Sequence, residues 1–597
     1  DISPSGWISL PTTKARKMPK KNRKTHCTHE FIINYKYIIS KMDKENMVPY
    51  KICSFDIEAS SSHGDFPLAK KDYKKLAMNI VDCWRERSKE YDIDKTQGKI
   101  ILKQFLKTAF SIGNSEVENI EKIYPKFPLK ENNFSTAFEN WFETVLDEYN
   151  KDKNIFIQTN NLSPNSEAQN CDEGYNNNET DGARKGGWWT NKKQLNNKIN
   201  IKGNIVDVLN NDKIDRDTKI SIVNKTLNEE CMFPGLEGDK VTFIGSTFWR
   251  YGDDSPYLNH CAVLGTCSDL PNIENSKIDS YKTEREVLLA WQKIIQEEDP
   301  DIIIGYNIFG FDYPFMYERV KELNCVDQFI NLSRNKGERC LKKDWKSKKE
   351  TLEESTLYIA SGQHDLKYIK MNGRIQIDMY NYFRRDYQLM MYKLDYVSGY
   401  FIGDGVKKYQ HIDDKTKIYS KNLTGLENHS FVNFEEASHS VDFYKDGKKF
   451  RVFDIDYDEG SFYIEGIESP DMTKKVRWGL AKDDITPQDI FRMTNEGPDE
   501  RAVIAKYCIQ DCNLVQHLLR KMDVITGFIE MSRLCSVPID FLVLRGQGIK
   551  LTSYIAKKCR EKDTLMPVIE KGSPDEAYEG AIVLAPKCDL YLNDPVA

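Results

Sequence analysis

Lys51-Ile52-Cys53-Ser54-Phe55-Asp56-Ile57-Glu58 (KICSFDIE, residues 51–58) is the stretch on which the fold reading turns. Its apolar run ends in carboxylates and predicts a buried strand. Alternate residues of a strand share a face, so Phe55 and Ile57 point into a core while Asp56 and Glu58 point together to the other side. Two like charges about 7 Å apart repel, and a fold tolerates that best with a cation between them.

Two further segments place carboxylates where the same cation would want them. DIIIGYN (301–307) reads as a second buried strand, and Asn307-Ile308-Phe309-Gly310-Phe311-Asp312 follows at its C-terminal end, where α/β sheets place ligand sites. Residues 499–521 read as a long helix carrying Tyr507-Cys508-Ile509-Gln510-Asp511, and the i, i+4 spacing sets Tyr507 and Asp511 on one face. A hydroxyl and a carboxylate on one face can orient a water beside a metal. Asp56, Glu58, Asp312 and Asp511 offer only hard oxygen ligands, which select Mg²⁺, with Mn²⁺ as a substitute, over Zn²⁺. Two such ions can activate a water and stabilise a leaving oxygen in phosphodiester hydrolysis. Each motif alone is commonplace; all three in order, each on the expected element, are not.

Other elements fill in an α/β domain with inserted hairpins. KVTFIGSTFW (240–249) and NHCAVLGT (259–266) read as strands. Residues 283–298 form an amphipathic helix opened by a Thr cap, 450–467 a β-hairpin, and 541–562 one further helix. Between the first two acidic motifs, residues 70–150 keep helical periodicity, whereas 158–200 are Asn-rich and lose it, which predicts a flexible loop.

The chain has 597 residues, 40% hydrophobic, with a formal net charge of -6, enough for several lobes but not the balance of a small basic DNA-binding domain. A local groove can still be basic, so a nucleic-acid enzyme is not excluded. No long apolar run appears, and no membrane partner is expected. Fourteen Cys without a CxxC pair suit free thiols in a reduced compartment. His26, Cys27 and His29 lack a second ligand pair nearby, which argues against zinc. Lys14, Arg16, Lys17, Lys20, Lys21, Arg23 and Lys24 make a basic stretch whose plain reading is a solvated loop, with nuclear targeting or a phosphate contact as alternatives. Asp454, Asp456, Asp458 and Glu465 imitate a calcium loop, but the required glycine is displaced and the flanks alternate like strands. YGDDS (251–255) is ordinary turn chemistry, and Cys508 and Cys512 read as packing residues.

The ordered set DxE, NxxxFD and YxxxD resembles the three exonuclease motifs of family B DNA polymerases, in the tyrosine branch of the DEDD exonucleases. The segments at 373–401 (GRIQIDMYNYFRRDYQLMMYKLDYVSGYF), 505–515 (AKYCIQDCNLV) and 543–551 (VLRGQGIKL) resemble delta-type polymerases. SGWISLP (5–11) is similar to the end of the family's N-terminal domain, and Tyr578-Glu579-Gly580-Ala581 to its YxGG/A motif. The resemblance implies a ribonuclease-H-like 3′→5′ exonuclease domain over 51–530. The end of a β-rich N-terminal domain would occupy 1–50, and a linker with the start of the palm 531–597. It implies that Asp56, Glu58, Asp312 and Asp511 hold two Mg²⁺, that Tyr507 positions the water, that Asn307 and Phe311 contact the terminal nucleotide, and that Tyr578 and Gly580 contact DNA. The implied partners are a primer-template with a single-stranded 3′ end and a sliding clamp, at a nucleus or a cytoplasmic viral replication site, without secretion. Asp56 and Asn307 lie 251 positions apart, wider than in delta-type enzymes, so about 70–235 reads as an insertion of the kind seen in large DNA viruses such as mimivirus. The palm motifs A and C are expected to lie beyond Ala597. The rival readings are a stand-alone DEDD-type exonuclease and a non-catalytic DNA-binding scaffold.

Overall fold

The computed structural model describes residues 7–41, 43–61, 66–90, 92–113, 116–150, 155–157, 198–229, 233–344, 348–359, 362–482 and 485–566. The chain forms two compact units, Asp1–Lys14 with Asn34–Glu45 and Ile525–Ala597, and Ala15–Ile33 with Asn46–Val524.

The second unit is built on a six-stranded mixed sheet: β1 (Lys51–Ser60), β2 (Lys240–Arg250), β3 (Leu258–Leu264), β4 (Ser276–Tyr281), β5 (Ile302–Gly305) and β6 (Ile375–Asp378), in the order β4-β3-β2-β1-β5-β6. β1 pairs antiparallel with β2 and parallel with β5, and β5 pairs parallel with β6. The apolar runs of β1 and β5 are buried because helices cover both faces. On one face, α1 (Glu284–Glu298) and α2 (Asp312–Glu322) bring Trp291 and Tyr313 against Phe55, with ring centroids 5.0 and 5.3 Å away. On the other, α3 (Pro498–Lys521) places Cys508 against Gly245, the residue opposite Asp56. Helix α1 begins where the sequence predicts, with Thr283 and Glu286 closing a reciprocal capping box.

The described residues between 72 and 236 form a subdomain with its own hydrophobic core, centred on Trp84, Phe105, Phe134, Phe138 and Trp141. Among the described residues, five helices and a three-stranded sheet build it, and the sheet contains Lys198–Gly203. That strand claims the last residues of the loop expected at 158–200; the remainder of the loop lies outside the described residues.

The hairpin expected at 450–467 is present as Phe450–Asp456 and Ser461–Glu465, within a larger arrangement. The antiparallel strands run Phe431–Ala437, Phe450–Asp456, Ser461–Glu465, Lys415–Ser420, Gly403–Ile412 and Lys475–Ala481, and the last pairs back with the first. A closed six-stranded ring results, with Val432, Phe434, Val452, Phe462, Ile464 and Trp478 buried. Closure removes the open edges that an isolated hairpin would expose.

In the first unit, Trp7–Ser9 pairs with Ile39–Lys41. The single helix expected at 541–562 is two, Ile539–Leu544 and Gly548–Glu561. Arg545 adopts an extended backbone and Gly546 follows it, so the helix cannot run through. Among the described residues, no helix is long and apolar enough to cross a membrane.

Candidate active site

Strand pleating sends Asp56 and Glu58 to the α3 side of β1, as the alternation requires. Ligand atoms of Asp56, Glu58 and Cys508 lie within 4.8 Å of one another. The Cys508 thiol accepts from Gly245 N–H at 3.2 Å and donates to the Asp56 carbonyl at 3.6 Å. Both of its hydrogen-bonding roles serve the packing of α3 on the sheet, and the carboxylates remain as the hard donors.

Asp312, the first residue of α2 and 2% exposed, accepts from Ile57 N–H at 3.2 Å, between the two strand acids. Asp511, on α3 and 4% exposed, is met by Lys482, whose Nζ lies 2.6 Å away. Neither Asp312 nor Asp511 joins the 4.8 Å group of Asp56, Glu58 and Cys508. Tyr507 sits one turn before Asp511, with the Lys482 ammonium 4.5 Å from its ring centre.

The electrostatics are those of crowded anions. Burial, then the neighbouring Asp312, holds the Asp56 carboxyl well above the ordinary range. Burial does the same to Glu58. Asp312 is pushed up to about 8 by burial and by Asp378, against the hydrogen bond from Ile57. Such a set is unfavourable alone, and a divalent cation bound among oxygen donors would offset it.

The Asn307–Phe311 loop has a tight geometry. Asn307 is left-handed at φ 66°, which Asn tolerates better than most residues. Its carbonyl accepts from Gly310 and Phe311 at 3.0 and 2.9 Å. A Cβ on Gly310 would lie 2.3 Å from Asn307 Oδ1, so only glycine lets the amide fold over the loop. The Phe311 ring meets Phe66 edge-on at 5.5 Å, and Phe66 is 70% exposed. Tyr578 and Gly580 lie outside the described residues.

The DNA polymerase family B exonuclease-domain model matches residues 1–132 and 185–397. The chain belongs to that family. A DNA polymerase of Phaeocystis pouchetii virus is 44% identical over 608 residues, covering 100% of this chain and 57% of the relative. A DNA polymerase of Pyramimonas orientalis virus is 30% identical over 628 residues, covering 100% of this chain and 44% of the relative. A DNA polymerase delta catalytic subunit of Oryza sativa is 29% identical over 366 residues, covering 61% of this chain and 25% of the relative. The chain thus spans about half the length of the two viral relatives.

Two residues of this family B exonuclease domain escaped the sequence reading. Asp378, at the end of β6, accepts from Asn307 N–H at 2.8 Å, Phe309 N–H at 3.1 Å, Tyr380 N–H at 3.0 Å and Asn381 Nδ2 at 2.9 Å. It pins the loop before Asp312. Burial pushes its carboxyl up to about 6, opposed by those donors. An aspartate ending a short apolar strand and capping the next helix was the available signal. Lys482 follows the last barrel strand; burial works against its charge, but Asp511 and Tyr507 hold the ammonium above its ordinary range. Nothing local marks it, because its partners are reached only through the barrel.

Proposed function

We propose that this chain hydrolyses the 3′-terminal phosphodiester of single-stranded DNA, within a ribonuclease-H-like 3′→5′ proofreading exonuclease domain of a DNA-directed DNA polymerase. The observation that carries the reading is the gathering of Asp56, Glu58 and Asp312 around one strand segment, with Tyr507 and Asp511 on the helix packed against it. The sheet order, with β1 central and parallel to β5, supports the ribonuclease-H-like assignment. Asp56, Glu58, Asp312 and Asp511 are the proposed ligands for two Mg²⁺, replaceable by Mn²⁺, because the donors are oxygen and their crowding favours a cation. When bound, such ions supply a nucleophilic water at neutral pH and charge stabilisation for the leaving 3′-oxygen.

The protein's own groups do the rest. Tyr507 holds the water through its hydroxyl, and Lys482 holds Asp511 in place. Asn307, presented by the loop that Asp378 ties down, and Phe311 receive the terminal nucleotide. A mismatched end reaches the cleft more readily because it costs less to unpair. The proposed limits are 1–50 for the end of an N-terminal domain, 51–530 for the exonuclease domain, and 531–597 for the linker and palm start, with Tyr578 and Gly580 on DNA. Primer-template DNA and a sliding clamp are the proposed partners, at a nucleus or a cytoplasmic viral replication site.

The test is digestion of an end-labelled single strand with Mg²⁺ by the chain and by its Asp56→Ala/Glu58→Ala variant. The variant is expected to lose digestion by at least about a thousandfold, the scale on which metal-assisted catalysis depends on its ligands. Undiminished digestion by the variant would refute the assignment.

A further inference from the structure

Arg16 to Lys24 (RKMPKKNRK) has six basic residues in nine and no acid. The structure makes this an ordered element rather than a solvated loop. Arg16–Lys17 pairs antiparallel with Phe31–Ile32, and a short 3₁₀ turn covers Lys20–Asn22. Arg23 is spent inside, donating to the carbonyls of Met18 and Cys27 at 3.4 and 3.2 Å. Glu30, the one acid of the hairpin, is engaged by the backbone, accepting from the Lys24 and Thr25 N–H groups and the Thr25 hydroxyl. The element is docked on the domain: His26 N–H donates to the Arg334 carbonyl at 2.7 Å, and Lys336 N–H to the Lys24 carbonyl at 2.8 Å.

What remains outward is Arg16, Lys17, Lys20, Lys21 and Lys24, all exposed. Among the described residues, none of the five has an acidic side chain within 4.0 Å. The contrast lies within the same unit. Lys99, Lys103 and Lys107 of the insertion are also spaced along one surface, and each reaches a glutamate: Glu139, Glu139 and Glu131 respectively. The insertion's three lysines are neutralised locally; these five are brought together by a folded, anchored backbone and face no acid at that distance. Phe31 and Ile32 beside them are 43% and 57% exposed.

We propose that this hairpin binds the phosphate backbone of a nucleic acid strand. A row of anchored cations matches a chain of regularly spaced anions and gains affinity by releasing counterions. Its position separates it from the exonuclease cleft. Arg334, on which it docks, bonds to Asp299 and Asp301 just before β5, whereas Asn307–Asp312 follow the opposite end of that strand. The hairpin therefore takes a stretch of strand other than the terminal nucleotides. Exposed Phe31 adds a face on which an unpaired base can stack.

The test measures binding of a labelled duplex and a labelled single strand to the full chain, in EDTA to prevent digestion, for the native protein and for Lys17→Glu/Lys20→Glu/Lys21→Glu. The expected result is at least about a tenfold loss of affinity at low salt, with a log–log salt slope shallower by roughly 0.9 per lost contact on the duplex or 0.7 on the single strand. The larger loss identifies the form of strand bound. The milder Lys17→Gln/Lys20→Gln/Lys21→Gln variant should flatten the slope without charge reversal. Unchanged affinity and slope in both variants overturn the proposal, as does binding of phosphatidylserine vesicles in place of nucleic acid. Digestion of a trinucleotide, too short to span cleft and hairpin, should stay at the native rate in both variants. Its absence in the native protein would count against the exonuclease reading instead.

Discussion

The ammonium of Lys482 lies 2.6 Å from the carboxylate of Asp511, joining the end of the barrel to the helix that carries the third acidic motif. Asp511 is 4% exposed, so the lysine is a counter-charge it cannot exchange freely for water. Lys482→Met leaves that carboxylate buried opposite an apolar group. Removing one partner of a buried pair costs about 3–5 kcal/mol, and the low end applies because the Lys482 side chain is 23% exposed. Urea denaturation should register about 3 kcal/mol of lost stability, and digestion of a single strand should fall about tenfold or more as Asp511 loses its placement. Lys482→Arg should recover most of the stability. A methionine variant as stable and active as the native chain would show that the pair holds nothing in place.

The crowded acids predict an unusual pH dependence. Asp312 goes from an ordinary value of 3.8 to about 8 in the fold, and Asp378 to about 6. Groups raised on folding contribute stability that is fully present below the unfolded value and lost as pH rises through the folded one. In EDTA, the melting temperature should therefore fall between about pH 4 and pH 8. Millimolar Mn²⁺ should flatten that fall, because a cation removes the reason to retain protons. Asp312→Asn should flatten it without metal. Identical EDTA profiles for the native chain and Asp312→Asn would refute the electrostatic account.

Much of this candidate site is legible in the sequence, for a physical reason. Asp56 and Glu58 face one way because a strand alternates, and Tyr507 and Asp511 because a helix repeats every 3.6 residues; both rules act within one element. Asn307 and Asp312 are legible as candidates because α/β sheets place ligand sites beyond the C-terminal ends of their strands. Lys482 and Asp378 were not, since what defines them is contact across elements with no common period. The barrel was missed for the same reason. The 450–467 hairpin announces itself through one turn, whereas closure depends on Phe431–Ala437 pairing with Lys475–Ala481, across a separation that no local pattern encodes. The two helices at 539–561 were merged because Arg545 and Gly546 interrupt the backbone without interrupting the charge pattern.

Gly245 tests how closely α3 must approach the sheet. A Cβ there would fall 2.8 Å from Cys508 Sγ, 3.1 Å from the Cys508 carbonyl and 3.1 Å from Cys512 Sγ. Gly245→Ala should push the helix outward, at a cost of about 1–3 kcal/mol from overpacking. Because Asp56 pairs with Gly245, the same shift should weaken Mn²⁺ binding measured by calorimetry. Adding Cys508→Ala removes the nearest obstacle and should restore part of the stability, which a purely local backbone effect would not allow.

Asp378 carries the last prediction. Its two oxygens serve four donors, two of them the backbone N–H groups of Asn307 and Phe309. The Phe309 N–H is buried and the Asn307 N–H partly so, so Asp378→Ala leaves both without this partner, and each buried unsatisfied donor costs about 1–3 kcal/mol. The loop should respond by relaxing, which limits the loss to roughly 3 kcal/mol in urea denaturation but releases Asn307 from its left-handed conformation. Asp378→Asn keeps one accepting oxygen and should fall between the alanine variant and the native protein. If the loop presents the terminal nucleotide, KM for a short single strand should rise together with a fall in kcat, since both binding and the placement of Asp312 depend on it. A loss of stability with both constants unchanged would mean that Asp378 braces the fold alone, and that the Asn307–Phe311 loop does not hold the substrate.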